Sequence, residues 1–203
     1  MLRRLFLLMM FLPMLSFADS FVAGKDYEVL NTGKDSTKGK PVSVLEFFSY
    51  GCPHCYRIEP ALNRWAKLHQ KQISLKRVPV VFNKEWIYYA KAFYAADLLK
   101  RSDTLTPILF KAIQTDKRTL TSNQAMIDFF IAQGVDKDLA ASAFNNSTTV
   151  DMNVNEGNVL MGRMHINAVP AIVVNHQFKT DLKMAGSEER LFKILDHLLV
   201  KSA

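Results

Sequence analysis

Cys52-Pro53-His54-Cys55 holds the only two cysteines of this 203-residue chain, two residues apart. They follow an apolar run (Val44, Leu45, Phe47, Phe48) and precede a helical pattern. Two thiols so spaced at the start of a helix can close a small disulfide ring. The first sulfur would meet unpaired backbone N–H groups and the positive end of the helix dipole. That setting favours thiolate over thiol and suits a redox centre that acts on the thiols of other proteins. The rival reading is a structural bridge. A bridge closing so short a loop removes little chain entropy, and a chain of this size buries a core without staples. The reactive reading is the stronger one.

The N-terminus bears on the redox compartment. Met1-Leu2-Arg3-Arg4 is basic, Leu5 to Phe17 is a short apolar stretch interrupted by Pro13, and Ser16-Phe17-Ala18 carries small residues. This pattern predicts a signal peptide over 1–18, cleaved near Ala18 and before Asp19. A membrane anchor needs about 20 apolar residues, more than this run supplies. The mature chain is expected to be an exported soluble protein, where a lone cysteine pair is normally oxidised. The formal charge of +7 includes Arg3 and Arg4. The remaining cations (Lys25, Lys34, Lys38, Lys40, Lys67, Lys71, Lys76, Arg77 and Lys84 among them) are scattered between acids and read as a solvated surface. No Arg-rich block or aromatic-basic alternation points to nucleic acid.

Positioning the cysteines requires a scaffold, and its elements can be read in order. Residues 31–41 form a turn-rich connection, Val42–Phe48 a buried strand, and Pro53 to about His69 a helix with an Ile58, Leu62, Trp65, Leu68 stripe. Pro60 is expected to kink that helix. Ile73–Phe82 suits another strand. From 83 to 165 the period is helical, with Trp86, Tyr89, Ala90, Phe93, Ala96 and Leu99 on one face. Pro107 opens a second helix reaching Ile113. Thr121-x-x-Gln124 reads as a capping box before a third helix, which Gly134 ends; Asp136 caps the next, and Val150–Arg163 forms the last. Ala171–Val174 returns to strand, Gln177–Lys183 is its hairpin partner, and Ser187 caps a closing helix. The class is α/β: two parts of one mixed sheet, 19–82 and 166–203, flank a helical insertion over 83–165.

Two segments carry a family resemblance. Glu46-Phe47-Phe48-Ser49-Tyr50-Gly51-Cys52-Pro53-His54-Cys55-Tyr56 and Val169-Pro170-Ala171-Ile172-Val173-Val174-Asn175 resemble the DsbA family of thiol:disulfide oxidoreductases. The order of elements is similar over essentially the whole mature chain. The resemblance implies a thioredoxin fold with an inserted all-helical domain. It also implies a periplasmic dithiol oxidase without a bound cofactor, serving reduced or unfolded exported proteins. A DsbB-like membrane oxidase with a quinone would restore the disulfide. Oligomeric state is not implied.

Cys52 is expected to be the exposed, attacking thiol and Cys55 the less exposed resolving sulfur. Pro53 suits the first helical turn. His54 can favour the Cys52 thiolate by a hydrogen bond or positive charge, or simply face solvent. The resemblance implies a cis Val169–Pro170 bond facing the cysteines, with the Val169 backbone pairing to an extended substrate. It also puts Glu46 behind the disulfide as a proton relay for Cys55. Glu59 contributes there or is an ordinary exposed helix acid. Met161 and Met164 line a substrate groove or pack in the core. A metal site is disfavoured, because no second ligand pair accompanies the cysteines. The rival functions are a disulfide isomerase or reductase of the same superfamily, and a non-enzymatic peptide-binding or chaperone protein. Isomerases of the superfamily carry an N-terminal dimerisation domain for which Asp19–Pro41 is too short.

Overall fold

The computed structural model describes residues 20–33 and 40–202. The expected signal peptide over 1–18, its cleavage site and part of the 31–41 connection lie outside the described residues. Five strands form one sheet in the order β1-β5-β4-β2-β3. They are β1 (Glu28–Val29), β2 (Val42–Phe48), β3 (Ile73–Pro79), β4 (Ala171–Val174) and β5 (Phe178–Asp181). β2 and β3 run parallel, joined by α1 (Pro53–Leu68), whereas β4 pairs antiparallel with both β2 and β5. A crossover helix is what lets two consecutive strands lie parallel. β2 and β4 are central and buried almost throughout, which matches the apolar run of β4 and the mostly apolar β2, interrupted by Ser43 and Glu46. The mixed sheet with flanking helices is the thioredoxin arrangement that the resemblance implied.

Between β3 and β4 the chain is helical: α2 (Trp86–Leu98), α3 (Ser102–Phe110), a π-helical segment (Lys111–Thr115), α4 (Asn123–Ala132), α5 (Lys137–Asn145) and α6 (Thr148–Arg163). Phe93, Leu105, Leu109, Met126, Phe129, Phe130 and Phe144 form its core, which runs on into Phe48, Tyr50 and both cysteines. Across the sheet, α1 and α8 (Glu188–Ser202) bury Ile58, Leu62, Trp65, Leu191, Ile194, Leu195 and Leu198 against β2 and β4. Among the described residues no helix is long and apolar enough to cross a membrane.

Several expectations at element ends change. α3 starts at Ser102, five residues before Pro107, because fully buried Leu105 draws the earlier turn into the core. The cap of α4 is Ser122, whose hydroxyl accepts the Ala125 N–H at 3.1 Å; Gln124 turns instead to Asp128. β3 stops at Pro79, and β5 stops at Asp181, which caps the short α7 (Leu182–Ala185) through the Met184 N–H. Leu68, read as part of the α1 stripe, is 82% exposed at the helix end. α1 runs without a break through Pro60. The two-residue β1 was not anticipated.

Candidate active site

β2 ends at Phe48, and the chain reaches α1 through one tight turn. The Cys52 N–H donates to the Ser49 carbonyl at 3.0 Å and the Gly51 N–H to Ser49 Oγ at 3.1 Å. Cys52 is the N-cap of α1 in an extended conformation (φ −95°, ψ 115°), and Pro53 occupies the first turn, where its absent N–H leaves nothing unsatisfied. Both cysteines are free thiols in this structure.

Cys52 Sγ replaces the usual capping oxygen, accepting the Cys55 N–H at 3.3 Å. Its pKa is lowered to about 7, first by the hydrogen bond from the Cys55 thiol, against the effect of burial, then by the backbone N–H groups of Cys55 and His54 and by nearby Arg57. Cys55 is fully buried, and burial together with the Cys52 sulfur holds its thiol well above the usual range. One sulfur is thus acidic and the other is not. The expectation of an exposed Cys52 is corrected: only 5% of the residue is accessible, because α1 and the Val169 strand entrance close over it.

From the far end of the chain, the cis Val169–Pro170 peptide meets this helix end, with the Val169 carbonyl 3.4 Å from Cys52 Sγ. His54, Arg57, Val169, Pro170, Leu182 and Lys183 border an adjoining cavity of about 350 Å3. His54 is exposed and borders this cavity, while its backbone N–H faces the sulfur. Of the two methionines, Met164 is buried in the core, whereas Met161 is half-buried in the cluster that includes Trp86 and Val169.

Behind the cysteines, Glu46 on β2 is fully buried, and its neighbour in the β2–β3 register is Arg77. Arg77 Nε donates to Glu46 Oε2 at 2.8 Å, and its Nη2 reaches Glu59 at 3.1 Å and Asn63 Oδ1 at 2.6 Å. Burial raises Glu46 to about 7, against the pull of Arg77 and with the repulsion of Glu59 added. Glu46 Oε1 has no hydrogen-bond partner among the described residues. The structure therefore brings Glu46 and Glu59 together. It also removes Arg77 from the solvated surface where its sequence context had put it, since a pair of buried carboxylates draws the guanidinium inward. Arg77 is the residue sequence reasoning missed; the in-register pairing of β2 with β3 was the signal that could have exposed it. Among the described residues no group of three or more His, Cys, Asp and Glu side chains could hold a metal ion.

Comparison with known proteins follows the geometry. Residues 33–197 match the family model described as thioredoxin. The thiol:disulfide interchange protein DsbA of Burkholderia cepacia is 39% identical over 178 residues, which cover 87% of this chain and 84% of that protein. The chain belongs to the DsbA family. Within it, the solved structure of Pseudomonas aeruginosa DsbA has a TM-score of 0.83 at 30% identity, covering 91% of this chain and 95% of that one. A DsbA from Proteus mirabilis, solved with the non-covalently bound peptide PWATCDS, has a TM-score of 0.74 at 25% identity over 89% of this chain and 99% of that one. As a DsbA-type protein, the chain is a thiol:disulfide oxidoreductase with a thioredoxin fold and an inserted helical domain.

Proposed function

We propose that this protein is a periplasmic dithiol oxidase that gives its Cys52–Cys55 disulfide to reduced, folding exported proteins. The observation that carries the reading is the asymmetry of the pair. Cys52 Sγ sits on the N-terminus of α1 with a pKa near 7, beside the Val169 carbonyl and an open cavity, while Cys55 lies fully buried with its thiol held high. A thiolate that is stable when reduced makes the disulfide a better oxidant.

A client thiolate attacks Cys52 Sγ and breaks the Cys52–Cys55 bond, and Cys55 leaves as a thiolate. A proton neutralises it, because its buried site disfavours the anion. Glu46, with a pKa near 7, is the relay for that proton, and Arg77 and Glu59 set its affinity. A second client thiolate then attacks the client sulfur of the mixed disulfide and releases Cys52 as thiolate. Two electrons pass from the client dithiol to the protein, and the client's two thiol protons go to Cys55 and to solvent or Cys52. The Val169 backbone, next to Pro170, is the edge against which an extended client would lie. The peptide bound by the Proteus mirabilis DsbA contains a cysteine and supports this class of client. Reoxidation falls to a DsbB-like quinone-linked membrane oxidase.

Oxidative refolding of a reduced disulfide protein tests the reading. Oxidised wild type should form the client's disulfides stoichiometrically and Cys52→Ala should form none. Equal yields from the two would remove the proposal. Poor rescue of a scrambled client, beside fast oxidation of a reduced one, separates an oxidase from an isomerase.

A further inference from the structure

We infer that Gln114 is a positioning residue for thiol exchange: its side-chain amide holds the turn that sets Cys52 on the end of α1. The inference rests on the reading of Cys52 as the attacked sulfur. Three residues on one side of α3 and the π-helical segment converge on Tyr50. Thr106 Oγ1 lies 3.0 Å from the Tyr50 hydroxyl, and the Phe110 ring meets the Tyr50 ring edge-on at 4.9 Å. Gln114 Nε2 donates to the Tyr50 carbonyl at 2.6 Å.

Their spacing is four residues at each step, which an α-helix does not keep in line. At 3.6 residues per turn, a four-residue series rotates about 40° per step. The winding of Lys111–Thr115 is wider, with the Asp116 N–H on the Lys111 carbonyl at 3.0 Å and the Arg118 N–H on the Ala112 carbonyl at 2.9 Å. That widening absorbs the drift and returns Gln114 to the Tyr50 side; single π-turns of this kind concentrate at functional sites.

Tyr50 is fully buried, so its carbonyl needs a donor from the protein. From the other side Gly51 packs so closely on α2 that an added Cβ would lie 2.5 Å from Trp86 Nε1. The helical insertion thus grips residues 50 and 51 from two directions. The consequence reaches both sulfurs. The Ser49 N–H of this turn faces the Cys55 sulfur, and the turn's last residue is Cys52 itself. Without the Gln114 bond the turn is free to shift, and Cys52 Sγ moves off the N–H groups of His54 and Cys55.

The test replaces Gln114 by Met, which keeps the length and removes the donor, and by Glu, which at neutral pH also presents no donor. Cys52 ionisation is followed by thiolate ultraviolet absorbance, with Cys52→Ser as the blank, and client oxidation is timed in parallel. Both variants should raise the Cys52 pKa by about half a unit, a roughly threefold loss of thiolate below that pKa, and slow oxidation to match. Lowered thermal stability with unchanged Cys52 ionisation and rate would overturn the inference and leave Gln114 as packing only. If Gln114→Met does not fold, Gln114→Glu decides by the same two readouts. A wild-type Cys52 without a lowered pKa would count against the proposed function itself and is thereby distinguishable.

Discussion

The Val169 carbonyl stands 3.4 Å from Cys52 Sγ across 117 residues of sequence, joining the entrance of β4 to the end of α1. This contact puts a backbone edge beside the Cys52 sulfur; under the proposed function, a client chain lying along Val169 would bring its own cysteine to Cys52. The two halves of the sheet, separated by the helical insertion, make a site that neither half contains.

Division of labour between the sulfurs predicts the behaviour of Cys55→Ala. Without the resolving sulfur, the Cys52 thiolate that attacks a client's disulfide forms a mixed disulfide with no internal escape route and releases the client's other sulfur as thiolate; this adduct should accumulate on non-reducing gels with disulfide-bearing clients. Its Cys52 pKa should also rise, since the Cys55 thiol is the leading cause of the lowering. A variant that gives no adduct, or one with an unchanged Cys52 pKa, contradicts this assignment.

Stability of the dithiol form should depend on pH in a way that the disulfide form does not share. The Cys52 thiol ionises near 7 when folded, against an ordinary value of 9. Between those pH values the folded protein is ionised and the unfolded chain is not. This contribution is therefore fully present above pH 9, shrinks as pH falls, and is gone below about 7. Two units correspond to about 2 to 3 kcal/mol at most. Glu46 titrates oppositely but in both redox forms, so it largely cancels in their difference. Urea unfolding of the two forms from about pH 6 to 9 should show the dithiol form gaining by roughly 2 kcal/mol. A constant difference would refute the prediction.

Local pattern made the start of α1, the bounds of β2 and the placement of Cys52 at the helix N-terminus legible, because each depends on neighbouring residues. The Arg77–Glu46–Glu59 cluster was only half legible. Glu46 stood out as a carboxylate in an apolar strand, but Arg77 lies 31 residues away and meets it only through strand register. Gln114 was beyond reach, since its partner is 64 residues distant and its direction is set by a π-turn that a 3.6-residue period does not anticipate. Pro107 was misleading for a related reason. A proline is a fair start signal, but here the burial of Leu105 two residues earlier outweighs it.

Arg77→Met should be the most damaging surface-looking substitution in the chain. It leaves Glu46, with none of its side chain accessible, and Glu59 without their cation. Removing one partner of a buried pair costs about 3–5 kcal/mol. The loss should be largest at pH 8 and should shrink toward pH 5, because Glu46 already titrates near 7 and rises further without Arg77. For such a raised carboxyl the stability is present at low pH and is lost as pH rises through the folded value. Glu46→Gln combined with Arg77→Met should recover much of the loss at pH 8. Chemical denaturation at the two pH values checks both statements, and an equal loss at each would disprove them.

Gly51→Ala should destabilise the protein by roughly 1–3 kcal/mol. The cause is contact, not backbone conformation: the new methyl would lie 2.5 Å from Trp86 Nε1 and 2.9 Å from the Tyr89 ring. Because the same turn carries Cys52, relief of the clash should also displace the sulfur and slow client oxidation. Trp86→Phe removes the nearer obstacle, so the double variant should regain stability relative to Gly51→Ala alone while Trp86→Phe by itself loses some. Thermal unfolding of the four proteins gives the coupling directly. Strict additivity of the two substitutions would show that Gly51 and Trp86 do not press on one another.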